Sequence, residues 1–456
     1  MQKALIRSAA QAQTSRASML LILTLCLLPL IVNLAVSLSY DDVFLIPKVW
    51  WLLGAVLPSA LYMLWIYCAG VPRWLWLMTG VWLLWCLLGF VLGVRPDLTF
   101  TGLPGRMVSF PVYFSYAAIM LGVFGWISLN PQAQHQLPKL VWMVLPLGLY
   151  AAGQYYGLLG IPGGLKEIGV AALDVGTTMG HRGYFAGLLA VVLPLALNYT
   201  KQSRWGYLLV FMIAFSFAAS LSRGPILGGL AAYLYWVVLG RNWRAWGVHL
   251  TLVLGVLSSL PTLTAHQMNL RALGGSGQDI TDNSDRTVLW NTALKGIRER
   301  PLLGWGQGQL VNIMATRPDA TLLKEKKIDT TYQTLTRMPR LPDQALSWRV
   351  SKAGRRDELI THFINTIHNE YLEYALNFGI PASLAFAALL ALGIWRGRFL
   401  PWAGASVLGY AIYLLTWPET LRFAPIAWAI LGAALAAAPP RPAALPVEEV
   451  GSTSST

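Results

Sequence analysis

Uninterrupted apolar length is the feature that constrains this chain most. The stretches 17–39 (ASMLLILTLCLLPLIVNLAVSLS) and 74–93 (WLWLMTGVWLLWCLLGFVLG) carry no charged residue. About 20 such residues in an α-helix cross the ~30 Å hydrocarbon core of a bilayer, with every backbone polar group satisfied inside the segment. Similar runs recur near 47–69, 108–128, 139–158, 183–199, 205–221, 225–240, 245–264, 372–395, 399–416 and 423–438, giving twelve in all. Only 12% of the residues are charged, about half the share in a soluble domain. The 20 Trp and 18 Tyr suit aromatic belts at two membrane surfaces. Segment length therefore excludes a large soluble helical protein. The expected fold class is an all-α polytopic membrane protein of about twelve transmembrane helices.

The first run follows Lys3, Arg7 and Arg16, as the core of a secretory signal would. It is too long for one, and no small-residue cleavage pattern closes it before Tyr40-Asp41-Asp42, so it reads as a retained first helix. Cys26, Cys68 and Cys86 all lie in apolar runs, without CxxC spacing or a neighbouring histidine. They read as small buried hydrophobes and support neither a zinc site nor a disulfide framework.

An even number of spans puts both termini on one side of the membrane, and Lys/Arg bias decides which. With the termini inside, the cytoplasmic segments hold Lys3, Arg7, Arg16, Arg73, Lys139, Lys201, Arg204, Arg241, Arg244, Arg396, Arg398 and Arg441, while a short outer connection holds Asp41-Asp42. The expectation is a multi-pass inner-membrane protein with cytoplasmic termini. Its organisation would be transmembrane helices 1–9 over residues 1–264, a periplasmic loop domain with helices over 265–367, transmembrane helices 10–12 over 368–438, and a disordered cytoplasmic tail over 439–456. The loop carries 15 Lys/Arg against 10 Asp/Glu, which the charge rule tolerates in a long translocated segment. Within it, 286–300 (RTVLWNTALKGIRER) places Val288, Trp290, Leu294 and Ile297 near one helical face, with Pro301 as a stop and a Gly-rich turn from Gly304 to Gly308. The basic, weakly patterned stretch 317–357 reads as a mobile lid.

The apolar interiors are almost free of ionisable groups. His249 sits within a run near its cytoplasmic end, and Glu370, Glu373 and Arg422 lie at outer ends. That argues against an ion-coupled transporter, which keeps such groups at mid-membrane depth on related half-molecules. The remaining polar residues gather where helices meet the outer surface: His181 and Arg182, Arg223, Arg286, and His368 with Glu370. Each alone reads as a snorkelling arginine or an interfacial structural histidine. Together they suit attack by a hydroxyl on a sugar whose leaving group is a lipid diphosphate. Guanidinium forks bind phosphate oxygens in pairs, and neutral imidazole serves as a general base near pH 7. No acidic cluster offers a Mg²⁺ site, so no metal or other cofactor is expected and the arginines would be the cations.

In order along the chain, Ser222-Arg223-Gly224, Arg286-x-x-x-Trp290 running to Pro301-Leu302-Leu303-Gly304-Trp305-Gly306, and His368-Asn369-Glu370-Tyr371-Leu372 with Gly379-Ile380-Pro381 resemble the O-antigen ligase/polymerase superfamily. The segment Gly180-His181-Arg182-Gly183-Tyr184-Phe185-Ala186 is similar to the family's Gly-x-Asn-Asn-x-x-Ala element, with His and Gly where Asn is common. The resemblance covers 180–395. It implies a glycosyltransferase fold of the C type, a periplasmic active site, an undecaprenyl-diphosphate-linked O-antigen donor and no metal. By position, Arg223 and Arg286 would bind the donor diphosphate, with Arg182 assisting, and His368 would deprotonate the acceptor for inverting attack. His181, His362 and Glu370 would be accessory. A single large outer loop followed by three spans is most similar to the ligases, whose acceptor is lipid A–core oligosaccharide. Polymerase and protein O-oligosaccharyltransferase activities are the alternatives within the family, and a polysaccharide flippase is the alternative outside it. The partners expected are this donor and acceptor and membrane lipids, with no nucleic acid; oligomeric state is left open.

Overall fold

The computed structural model describes residues 16–33, 43–103, 106–160, 175–272, 284–310, 313, 334–337, 345–351, 358–363 and 366–439. In chain order its helices are α1 (Arg16–Leu30), α2 (Ile46–Gly70), α3 (Arg73–Val91), α4 (Phe110–Leu129), α5 (Val144–Tyr155), α6 (Arg182–Tyr199), α7 (Trp205–Ser220), α8 (Arg223–Leu239), α9 (Trp246–Ala272) and α10 (Ser284–Glu299), then α11 (Glu370–Phe378), α12 (Ile380–Arg396), α13 (Pro401–Leu414) and α14 (Ala424–Ala436). Among the described residues, five helices are long and apolar enough to cross a membrane: α2, α3, α4, α6 and the helix that starts at Ile380. Helices α1, α7, α8, the first half of α9, and α14 are shorter apolar helices.

The bundle has an inside and a lipid-facing outside. Helices α4 and α6 are buried around most of their circumference, whereas α2, α3 and α12 leave most of theirs uncovered. An apolar helix exposes such a face at no cost only when the solvent is also apolar. Because lipid gives helices no hydrophobic reason to associate, they pair through small residues that let backbones approach. A Cβ on Gly228 of α8 would stand 2.6 Å from the carbonyl oxygen of Gly409 on α13. A Cβ on Gly432 of α14 would stand 2.3 Å from the carbonyl of Met120 on α4. Cys86 is buried, as expected, and Cys26 is partly so, but Cys68 at the end of α2 is exposed.

Two features correct the hydropathy reading. The tenth run is not one helix: the chain breaks at Gly379, so that α11 precedes the apolar α12. Lys48 also lies inside the second run. It is fully buried and donates its ammonium hydrogens to the carbonyls of Ile31 and Thr178, 2.9 Å away in the latter case. A buried ammonium group needs such carbonyls, and this one ties α2 to the turn ahead of α6.

Outside the bundle, the loop is not purely helical. Strands β1 (Thr334–Arg337), β2 (Ala345–Ser351) and β3 (Glu358–Phe363) form an antiparallel sheet in sequence order, with Thr336 opposite Arg349 and Trp348 opposite Ile360. The all-α expectation therefore describes the bundle but not this loop. The cue is the alternation Leu346-Ser347-Trp348-Arg349-Val350-Ser351, a period of two that the basic composition obscured. The rest of the expected lid, 317–333, 338–344 and 352–357, lies outside the described residues, as does the tail from 440. On α10 the buried face runs through Trp290, Ala293 and Ile297, while Leu294 is 42% exposed, contrary to the face expected for it; Val288's side chain lies outside the described residues.

Candidate active site

The segment that carries His368 is built by three short stretches that bond backbone to backbone. The Trp305 and Gly306 amides donate to the carbonyls of Leu376 and Asn377 at 2.8 and 2.9 Å, and the Ile380 amide donates to Pro301 at 2.7 Å. Gly379 has φ +88°, and a Cβ there would stand 2.0 Å from the Leu302 carbonyl oxygen, so only glycine permits the contact. Trp305 closes this unit by donating its indole N–H to Gly296 of α10 at 2.8 Å, and the Arg300 guanidinium lies 4.3 Å over its ring. The motif Pro301–Gly306 is thus the strap that holds α10 against α11.

Trp290 then fixes α10 along its axis by donating to the carbonyl of Ile367 at 3.1 Å. Four residues separate Trp290 from Arg286, which places both on one side of the helix and brings Arg286 over the turn that bears His368. Burial, then the Arg286 and Arg106 charges, push the His368 pKa down from its ordinary value to about 4. Burial and Arg223 likewise lower that of Arg286. Arg223, Arg286 and His368 therefore form one electrostatic group. His368 has φ +56°, an uncommon conformation for a residue with a Cβ. Its Nδ1 is buried without a hydrogen-bond partner among the described residues, a polar atom awaiting one.

Beneath it lies Trp417, in the connection between α13 and α14. The His368 and His181 rings lie 5.5 and 5.1 Å from the Trp417 ring, and Tyr184 lies 5.8 Å away. A Cβ on Gly183 would stand 2.4 Å from this indole, and one on Gly224 would stand 2.0 Å from Thr416 Oγ1. The Gly180–Ala186 segment, Ser222-Arg223-Gly224 and the His368 motif, far apart in sequence, all close around this one indole. His181 caps α6, its Nδ1 accepting from the Gly183 amide at 3.0 Å, which leaves the proton of the neutral ring on Nε2. Burial, then Arg182 and Arg422 with His368, hold its pKa down to about 3. Arg182 is half-buried at the start of α6, and Arg223 is exposed at the start of α8. His362 lies in β3 opposite Leu346; its side chain lies outside the described residues. Glu370 is not beside the arginines expected to bind diphosphate but in a buried ion cluster.

That cluster was not foreseen. Arg106, between α3 and α4, forms ion pairs with Glu373 at 2.5 Å and Glu370 at 3.3 Å, and donates to the Glu419 carbonyl at 3.0 Å. The Glu419 carboxylate accepts from Tyr374 at 3.0 Å, Tyr410 at 2.5 Å and the Trp428 indole at 2.9 Å, and its amide donates to Glu370 at 2.7 Å. Burial raises the pKa values of Glu370 and Glu419 despite Arg106. The cluster rests on aromatic rings, with Tyr374 stacked on Phe386 at 4.4 Å and Trp82 tilted against Trp428 at 4.8 Å. Glu419 and Trp417, in the stretch Trp417-Pro418-Glu419-Thr420, are the functional-region residues that motif reading missed. A single carboxylate set between two apolar runs was the available signal, since a buried charge requires partners.

A model of the O-antigen ligase family matches residues 207–387. Over that segment the chain is similar to the O-antigen ligase family. The match begins in α7, takes in Arg223, Arg286 and His368, and ends in α12. Comparison with curated proteins returned no match. The family is one of glycosyltransferase-type membrane enzymes acting on lipid-linked polysaccharide. His181, Arg182, Arg106, Trp417 and Glu419 lie outside the matched segment and reach this centre through the fold. Among the described residues there is no group of three or more metal-ligating side chains able to hold an ion.

Proposed function

We propose that this chain is an O-antigen ligase that transfers a glycan from an undecaprenyl-diphosphate carrier to a hydroxyl of lipid A–core oligosaccharide, at the periplasmic face of the inner membrane and without a metal. The observation that carries the reading is the His368 imidazole on a turn bonded to α10 through Trp290 and Ile367, where burial and Arg286 lower its pKa and Arg223 acts in turn on Arg286. His368 takes the proton of the acceptor hydroxyl as its oxygen attacks the anomeric carbon. The new C–O bond forms on the face opposite the departing oxygen, so configuration inverts, and the sugar–phosphate C–O bond breaks. The lipid diphosphate leaves with the bonding pair, and Arg223 and Arg286, assisted by Arg182, bind the charge that grows on it. Burial first, and then Arg286, disfavour imidazolium at His368, so one of the cations proposed to receive the leaving group also helps keep the base free.

The glycosyltransferase fold of the C type and the twelve-span topology with cytoplasmic termini belong to the same proposal. Polymerase and protein glycosylation use the same chemistry on other acceptors. The test is reconstitution with a polyprenyl-diphosphate glycan and, separately, lipid A–core, a second repeat unit and a pilin-like peptide. Transfer to lipid A–core alone supports ligase activity, and transfer to another acceptor alone overturns it. Transfer should persist in EDTA; loss restored by added Mg²⁺ would defeat the arginine-only account. A flippase would move glycan with His368→Ala as well as with the native residue.

A further inference from the structure

His368 holds a conformation that its own backbone does not favour, and the bonds that impose it can be traced. The His368 amide donates to Thr366 Oγ1 at 3.2 Å. The Thr366 hydroxyl donates to Glu373 Oε2 at 2.9 Å, and the Ile367 amide donates to the same oxygen at 2.9 Å. The other carboxylate oxygen pairs with Arg106 at 2.5 Å. On its far side the Ile367 carbonyl accepts from Trp290. Both ends of the segment preceding His368 are therefore fixed, one by α10 and the other by a carboxylate on α11.

We propose that Glu373, braced by Arg106 and acting through Thr366, is the positioning residue that sets the backbone of His368 and so aims its imidazole. This rests on the catalytic reading of His368 above. A left-handed residue with a Cβ persists only where its surroundings determine it. Here directed bonds reach its backbone, beside the packing of its ring on Trp417. A carboxylate in this apolar setting is costly unless its oxygens are used, and the contacts of this one are the 366–367 segment and Arg106. Replacing it by the neutral amide removes the ion pair, because an amide oxygen turned to Thr366 presents its NH₂ group to the Arg106 guanidinium. Thr366→Val keeps the shape and breaks the same chain at one hydroxyl, which makes it the variant that should fold normally.

The full-length chain in proteoliposomes decides the matter by two measurements. The first is the rate at which diethyl pyrocarbonate modifies His368, followed by peptide mass spectrometry with exposed His135 as reference. Both Glu373→Gln and Thr366→Val should change the His368 rate by about threefold or more and leave His135 unchanged, as expected of a supporting contact that holds a reactive group. The second is kinetics. The kcat for glycan transfer should fall by about tenfold or more while the KM for donor stays within about twofold, the pattern of lost alignment and not of lost binding. Unchanged His368 modification in both variants overturns the proposal. So does a loss confined to membrane yield and thermal stability, with normal kcat per folded molecule. Wild-type transfer by His368→Ala would instead overturn the catalytic reading, and the modification rates would still judge the positioning.

Discussion

At neutral pH an imidazole whose pKa lies near 4 is almost entirely uncharged, and that is the form in which His368 can accept a proton. The sign follows directly. Depression of the pKa extends the basic form downward, so transfer should stay level from pH 8 to about 5 and fall only as the pH drops through about 4. A limb near the ordinary value of 6.5 would mean that burial and Arg286 do not act on the ring as described. Folding stability follows the same sign: the unfolded chain protonates these histidines first, so the contribution of His368 and His181 is lost as pH falls from about 6.5 toward their folded values. His368→Ala should abolish transfer, by about 10²–10⁴-fold for a lost general base, while membrane insertion and donor binding survive. Arg286→Lys keeps the charge and loses the fork, so its kcat/KM should be severely reduced. Native-like kinetics there would reduce Arg286 to a snorkelling side chain.

Among the elements, the weight falls on the strap Pro301–Gly306, which converts two separate helices into one platform. Its weakest point to substitution is Gly379. Any side chain there meets the Leu302 carbonyl at 2.0 Å and sits at φ +88°, a strain of about 1–3 kcal/mol before the clash is counted. Gly379→Ala should therefore lower the unfolding temperature of the protein in detergent and speed proteolysis within residues 300–310. Unchanged behaviour in both assays would show that the strap is dispensable. The split of the tenth run belongs to this scale too. From sequence, 372–395 reads as one run that contains Gly379-Ile380-Pro381. The break follows because the Ile380 amide is claimed by Pro301, a contact made by residues about eighty positions away.

For the whole molecule, the parity of helix connections is the quantity at stake. Arg106, His181, Arg223, Arg286, His368 and Trp417 lie in or beside connections that the alternating topology assigns to one side, and the fold links them at one end of the bundle. Cysteine placed at Asp97, an exposed position in the connection that holds Arg106, should react with a membrane-impermeant maleimide from the periplasmic side of a Cys68→Ser background. Cysteine placed at Arg244 should not react until the membrane is opened. The reverse pattern would put the site in the cytoplasm and end the proposed chemistry.

What the amino-acid order determined by itself was the solvent, and the proposed side rests on the same order. Apolar length and Lys/Arg placement are local quantities, and the bilayer reads them segment by segment. The motifs around Arg223, Arg286 and His368 were likewise legible because they are short, contiguous and matched to a family. The ion cluster of Arg106 with Glu370, Glu373 and Glu419, the gathering of three motifs on Trp417, and the sheet paired within the loop were decided only in three dimensions. Each is a pairing between distant residues, and nothing in a single sequence records which buried charge or ring will meet which. Burial supplies the reason that they must meet: in apolar surroundings an ionised or hydrogen-bonding group is stable only with partners, and the helix packing determines which partners are within reach.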